Sequence, residues 1–436
     1  MRAGIGWPRT FRALRHRPYR LYVAAQLVSL TGSWVQTTAL TWLAYAWTDT
    51  SFWPGLLLAA QVVPMALFSL TGGWLADRWP RRPLIVLTQT GQLLQALVLA
   101  AVVAMGWREP AVLLLVSTLL GLLNALDNPA RLAFLVDLVG RDDLPNAVAL
   151  NALTFNLARL MGPMIGAVLL LVVGPAGCFA VNAVSFVPVL LVLLHLRLPE
   201  VYRRAALAPA PGTLDFLVRR PRLLLLLGMA AGMAFFAWPL LSLLPALADR
   251  RLQVGQTGCG GLLSAVGGGA LVAALLVANL STASARAVAL CVGVVCAAGG
   301  LAGLAWTTSF ALGLLLAALC GLGLILFLAS GQTAVQLGAD ESNRGRLLGL
   351  WLTVLAIAHP LGHLGAGGLA DRWGVEVVLL LQAWGLLGLG GLLGLLALRF
   401  SWVSWSEGQR LGQRQQQDDD GSDQPQGDQP QHPPAA

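Results

Sequence analysis

Lysine is absent from this sequence: all 28 basic residues are arginine, and charges of both signs occupy only 11% of 436 positions. A water-facing surface of that size cannot be built from so few charges, which excludes a soluble multidomain enzyme and a nucleic-acid-binding protein. No G-x-x-x-x-G-K-[ST] loop, HExxH pair or Ser/His/Asp arrangement occurs, so neither ATP hydrolysis nor catalysis is expected. Any work the chain performs must then draw on an ion gradient. Five cysteines (Cys178, Cys259, Cys291, Cys296, Cys320) form no CxxC pair and sit mostly inside apolar runs; they read as small buried hydrophobes, with no disulfide framework, metal site or cofactor. The first 20 residues carry six Arg and no apolar core of a signal peptide, so no cleaved leader is expected.

What is present is apolar. Hydrophobic residues make up 57% of the chain, with 49 glycines for close helix packing and 15 tryptophans for interfacial anchoring. About 20 apolar residues span a bilayer core as helix. Twelve such runs are expected, at about 21–46, 54–76, 83–106, 110–126, 146–173, 175–196, 222–246, 259–280, 285–306, 308–331, 347–369 and 374–398. Taking the N-terminus as cytoplasmic puts 23 Arg on the cytoplasmic side and four (Arg108, Arg250, Arg251, Arg372) outside, with Arg159 inside a span. By the positive-inside rule both termini are therefore expected in the cytoplasm. The polar segment near 201–221 divides the chain into two six-span halves, 1–200 and 222–400. Residues 401–436, rich in Gln, Asp, Gly and Pro, read as a disordered cytoplasmic tail.

The loop after the second span reads Gly73-Trp74-Leu75-Ala76-Asp77-Arg78-Trp79-Pro80-Arg81-Arg82. It resembles the G-x-L-a-D-R-x-G-R-R signature of the major facilitator superfamily, with Pro80 standing where that pattern has Gly. The resemblance implies an all-α polytopic membrane protein, twelve transmembrane helices in two six-helix bundles. It also implies that Asp77 braces a cytoplasmic gate with Arg78, Arg81 and Arg82, near the start of span 11 around Gly349, whose helix dipole it would meet. The LADRW sequence recurs at Leu369–Trp373. By the expected topology that copy lies outside, and it is not expected to inherit the first one's role. Ser33–Ala39, Asn124–Asp137 (NALDNPARLAFLVD) and Asp143–Pro163 (DLPNAVALNALTFNLARLMGP) resemble the enterobactin-exporter-like, or transmembrane secretion effector, branch, which includes macrolide efflux pumps. Within span 5, Ala158-x-x-x-Gly162-Pro163-x-x-Gly166-Ala167 resembles the exporters' antiporter motif, with Ala replacing Gly at both ends.

Arg159, near mid-bilayer, should cost at least about 2.5 kcal/mol if unpaired, so it must face protein or water. Asp127 is its expected partner, as a structural brace or a protonation switch. Ser29, Gly32, Ser33 and Gln36 fall on one helical face, as do Thr88, Gln92 and Gln95, and Asn156, Arg159 and Pro163. Such stripes line a wet cavity or make interhelical hydrogen bonds; Gln36 and Arg159 are expected in the cavity. His359 and His363, one turn apart around Pro360, are read as cavity-lining groups, proton carriers or, lacking a third ligand, a weak metal pair.

The expected function is a bacterial inner-membrane, monomeric secondary exporter that alternates access to a midplane cavity. Its partners would be a small amphipathic molecule (siderophore, macrolide or other drug), a coupling proton and the lipid bilayer. Lipid flipping by the same fold, as of lysophospholipid, and a non-transporting receptor or scaffold are the competing readings.

Overall fold

The structure is a computed structural model that describes residues 9–196, 221–280, 282–337, 344–392 and 394–395. The expected central loop (but for its last residue) and the tail lie outside the described residues, as does the Asp77 side chain. Among the described residues twelve long helices follow one another. α1 (Arg17–Thr48), α2 (Phe52–Arg78), α3 (Arg81–Ala104), α4 (Pro110–Val139), α5 (Leu144–Val172) and α6 (Gly174–His195) form the N-terminal bundle. α7 (Leu223–Arg251), α8 (Gly255–Ala278), α9 (Ala283–Trp306), α10 (Phe310–Leu337), α11 (Arg344–Trp373) and α12 (Val375–Leu392) form the C-terminal one. Among the described residues ten stretches, in α3 to α12, are long and apolar enough to cross a membrane.

Local chemistry sets the helix ends. Proline stands in the first turn of α1, α4, α5 and α6, where its missing N–H has no helical partner to lose. Gly140 (φ 76°) stops α4 in a conformation that side chains avoid. α7 is broken instead: π-helical turns at Met233–Ala237 and Leu247–Arg251 flank a short α segment that holds Pro245.

The helices outrun the expected spans where charge is neutralised within the helix. α4 was expected to end near 126, yet it continues through Pro129 to Val139. Arg131 lies one turn beyond Asp127 and pairs with it at 2.9 Å, so the helix carries both charges with the carboxylate buried and the guanidinium mostly covered. α2 likewise runs on to Arg78, which places Asp77 in its last turn rather than in a loop.

The two bundles are built differently. The C-terminal bundle has one main apolar core running from Leu227 to Leu386. The N-terminal bundle has two apolar clusters, one around Tyr19, Leu84, Phe134 and Val189, the other around Val35, Leu57, Leu99 and Phe179. A polar layer lies between them. Gln36 donates to Gln95 (3.2 Å) and accepts from Asn182 (2.7 Å), while Gln92 donates to Asn124 (3.2 Å). This layer ties α1 to α3 and α6, and α3 to α4, where lipid would offer polar groups nothing.

The end that holds residues 9–16 and the α2–α3 turn, here the near end, is clasped around Asp143 at the start of α5. Arg12 Nε (2.9 Å), Arg15 Nη2 (2.7 Å) and His16 Nε2 (2.7 Å) converge on its carboxylate. Ala13 N–H donates to Asn146 Oδ1 and the Tyr19 hydroxyl to the Ala147 carbonyl. The hydrogen bond from His16, with the two guanidinium groups, holds the Asp143 carboxyl below the usual carboxylate range. A carboxylate with a depressed folded pKa stabilises the fold above its unfolded value of about 3.9 and loses that contribution as pH falls through the folded value. Thermal melts of wild type and Asp143→Asn should therefore converge as pH drops below about 4, and wild type should melt higher near pH 6. Parallel curves across that window would remove Asp143 as the near-end clasp.

Candidate functional site

α5 lies between the bundles, against α1 on one side and α8 on the other, and small residues permit both contacts. A side-chain carbon at Gly162 would overlap Trp34 Cβ and stand 2.9 Å from the Thr31 carbonyl, while Gly166 faces Val35 and Thr38. On the opposite side a carbon at Gly267 of α8 would meet the Arg159 carbonyl at 2.5 Å, and one at Gly260 would overlap Ala167 and reach the Pro163 carbonyl at 2.9 Å. Ala158, Gly162, Pro163 and Gly166 thus form the small-residue face on which α5 packs, with Ala158 wholly buried. The receiving glycines of α8 were not singled out from the sequence. Their glycine-rich run, GCGGLLSAVGGG, was the available signal.

The far end is where the described bonds between bundles concentrate. Asp371, in the last turn of α11, accepts the Ser51 N–H on Oδ1 (2.5 Å) and the Phe52 N–H on Oδ2 (3.0 Å), capping the N-terminus of α2. Arg250 of α7 donates to the Tyr45 hydroxyl (3.0 Å) and, through Nη2, to the carbonyl (2.7 Å) and Oδ1 (2.9 Å) of Asp49; Tyr45 in turn donates to Asp249 (3.1 Å). Gly55 of α2 packs on the His363 carbonyl and Gly367 of α11 on the Ser51 carbonyl. The second LADRW therefore has a role of its own: at the far end its aspartate caps a helix of the other bundle. Tyr45, Asp49, Asp249 and Arg250 were not among the expected site residues. Arg250 had a signal, being one of four arginines on the sparsely charged side.

Three expected site residues come together near the helix midpoints. Arg159 is 4% exposed, and its guanidinium lies 5.7 Å from the centroid of the Trp34 ring. His359 of α11 packs edge-on to Trp238 of α7 and to His363, with ring centroids 4.6 Å apart in both cases. The Ser242 hydroxyl donates to the Pro239 carbonyl (2.8 Å), so its oxygen accepts from His363 Nδ1–H (2.8 Å). His363 Nε2 is then the bare nitrogen, and it accepts from His359 Nε2–H at 3.1 Å. The row runs His359, His363, Ser242 along the face of α11 that meets α7. Among the described residues no group of three or more metal-ligating side chains occurs.

Two expectations are corrected. Asp127 does not pair with Arg159: its carboxylate is 1% exposed, accepts from Thr88 Oγ1 (2.7 Å) and Gln89 Nε2 (3.1 and 3.2 Å), and is ion-paired with Arg131 (2.9 Å to Nε), all from α3 and α4. Its charge is fully engaged inside the N-terminal bundle. Gln36 is not cavity-lining, being 2% exposed and bonded on both sides within the polar layer. A period of 3.6 identifies the polar face of a helix and cannot tell which neighbour that face meets. Asn156 keeps its side chain local, donating to the Ala152 carbonyl at 2.9 Å.

The loop residues fall at the near end. Arg81 Nη1 bonds Asp137 (2.9 Å) and the Ala133 carbonyl (3.1 Å), and Arg82 Nη2 bonds the Leu194 carbonyl (2.7 Å). Arg78 lies 4.2 Å over the Trp74 ring, and Gly73 has open space where a side chain would be. Arg81 and Arg82 thus fasten the start of α3 to α4 and α6.

The sequence matches the model of the transmembrane secretion effector family over residues 9–410. It is 29% identical to the enterobactin exporter EntS of Shigella flexneri across 371 residues, 81% of this chain and 85% of that one. It is 26% identical to the staphyloferrin A transporter of Staphylococcus aureus across 185 residues, spanning 42% of this chain and about half (47%) of that protein. In fold it resembles the nucleoside transporter NupG, with a TM-score of 0.69 at 14% identity, covering 86% of this chain and 98% of that one. A bacterial homologue of the human lysosomal transporter Spinster, in an inward-facing and occupied conformation, gives 0.68 at 14% identity over 87% and 96%.

Removing one partner of a buried ion pair strands the other, at a cost of about 3 kcal/mol, whereas removing both costs less. Asp127→Asn should therefore melt lower than wild type, and Asp127→Asn with Arg131→Gln should recover part of the loss. A single variant as stable as wild type would contradict the engagement of Asp127 as a brace.

Proposed function

We propose that this chain, which belongs to the transmembrane secretion effector family and is a multi-pass membrane transporter, exports a small amphipathic organic molecule in exchange for protons. The observation that carries the reading is two pairs at mid-helix depth, Arg159 with Trp34 and His359 with Trp238, on two bundles that grip each other at the far end. A site at that depth serves both membrane faces when one bundle rocks against the other. The names of the relatives make siderophores the first substrates to test.

The near end is assigned to the cytoplasm, because the loops there hold most of the arginines. The conformation is then inward-facing, with its outer side shut by the Asp371 cap and the Arg250 bonds. Asp77, in the last turn of α2, is assigned the matching task at the inner side, toward the start of α11. α2 and α11 run antiparallel, so each helix would present its C-terminal aspartate to the N-terminus of the other, at opposite ends and in opposite states.

The His359–His363–Ser242 row supplies the proton site in this account. With Nε2–H of His359 committed to His363, an arriving proton binds His359 Nδ1 and leaves an imidazolium near Arg159. Two cations cannot share that site cheaply. The charge state of the Arg159 site and the protonation of His359 are thereby linked.

The test is accumulation of catecholate and hydroxycarboxylate siderophores and of a lipophilic cation in efflux-deficient cells, with and without an uncoupler. Wild type should lower accumulation of at least one of them in an uncoupler-sensitive manner. Asp371→Asn keeps a polar acceptor but loses a cap charge worth about 1 kcal/mol, so net export should fall several-fold at equal protein level. Uncoupler-insensitive export would remove proton exchange, and full export by Asp371→Asn would remove the outer latch.

A further inference from the structure

We infer that Arg159 is the anchor of an anion site, and that the substrate class this transporter takes is an amphipathic organic acid with a planar or aromatic body. The inference rests on the transport reading above and deepens it. Arg159 sits at the midplane, 4% exposed, and its Nη2 is buried with no hydrogen-bond partner. Among the described residues no carboxylate pairs with it. The other buried charge of the N-terminal bundle interior, Asp127, is spent on Arg131, Thr88 and Gln89. The expected countercharge is therefore not among the described residues.

One contact is present, and it is insufficient. A guanidinium carries five N–H donors in a planar fork, and a ring face 5.7 Å away satisfies none of them. A carboxylate, catecholate or phosphate accepts two parallel N–H bonds from such a fork and brings the missing negative charge. The surroundings select the rest of the ligand. Trp34 lies on the α1 side of the guanidinium, and Trp238 and His359 form an edge-to-face pair on the C-terminal side of the seam. Flat rings at mid-membrane depth, with no second acid to receive a cation, suit a planar body carrying an acidic head. A lipophilic cation would have to approach an unneutralised arginine.

The oxyanion could belong to a soluble organic acid or to a lysophospholipid, and the two are separable. The experiment is equilibrium binding to the purified full chain in detergent, with tritiated 1-naphthaleneacetate, its neutral 1-naphthaleneacetamide and the cationic 1-naphthylmethylamine. Wild type should bind the acid roughly tenfold more tightly than the amide and the amine least. Arg159→Gln should erase the preference for acid over amide. Arg159→Lys keeps the charge but loses the fork, so an intermediate preference is expected; it also serves as the readout if the Gln variant fails to fold. Displacement of the acid by lysophosphatidate at lower concentration than by unlabelled acid assigns the oxyanion to a lipid head group, and the reverse order assigns it to a soluble acid; both outcomes keep the site.

Equal binding of acid and amide by wild type, no binding of the acid, or an undiminished preference in folded Arg159→Gln would overturn the proposal. No gradient is present in this assay, so its outcome is independent of whether export is proton-driven. Preference without export would sink the export reading alone, and export that ignores Arg159 would sink the anion site alone.

Discussion

Inside a bilayer there is no water to complete a hydrogen bond, so each polar group in these helices must find a partner in the protein. The N-terminal bundle obeys this through its cross-helix layer: Gln36 with Gln95 and Asn182, Gln92 with Asn124, and Asp127 with Thr88, Gln89 and Arg131. The layer divides the apolar core into two clusters and fixes which faces of α1, α3, α4 and α6 meet. Other buried atoms also lack a hydrogen bond, among them both amide atoms of Gln26 and the Tyr22 hydroxyl, but Arg159 is the charged side chain among them with no ion pair among the described residues. What separates Arg159 from the paired charges of this bundle is therefore the missing countercharge.

The bundles are joined by weaker means. The Asp371 carboxylate at the α2 N-terminus is worth about 1 kcal/mol, up to about 2 in a partly buried site. The Arg250–Asp49 pair, with side chains 41% and 85% exposed, adds at most about 1 kcal/mol. A closure of that strength is weak enough to open in the proposed rocking. The small-residue seams of α5 on α8 and of α2 on α11 bring these helices into close backbone contact without large side chains between them, as the proposed rocking requires.

Much of the fold was legible in the sequence because the bilayer imposes length and apolarity on every span. Twelve apolar runs and the asymmetric arginine distribution give the twelve helices and the division after α6 without reference to packing. Helix ends such as that of α4 were not legible, since an i,i+4 ion pair lets a charged segment remain helical. The site was half legible. Arg159 and His359 announce themselves by the cost of their burial. Gln36 and Asp127 carry the same signal, and which neighbour each one meets is a tertiary fact that helical periodicity does not contain. Asp371 was set aside because its LADRW copy falls on the opposite face; antiparallel pairing of α2 with α11 makes that opposite placement meaningful.

In the proposed cycle, closure of the far end by Asp371 on the α2 N-terminus sets which way the two bundles face. The most direct measurement is a pair of spin-label distances in a cysteine-free background: Met105 to Trp306 across the far end, and Trp79 to Leu337 across the near end, each pair placed on exposed side chains. The account predicts a short, narrow far-end distribution in wild type, and in Asp371→Asn a longer far-end population that grows as the near-end distance shortens. Unchanged distributions at both ends in Asp371→Asn would contradict it.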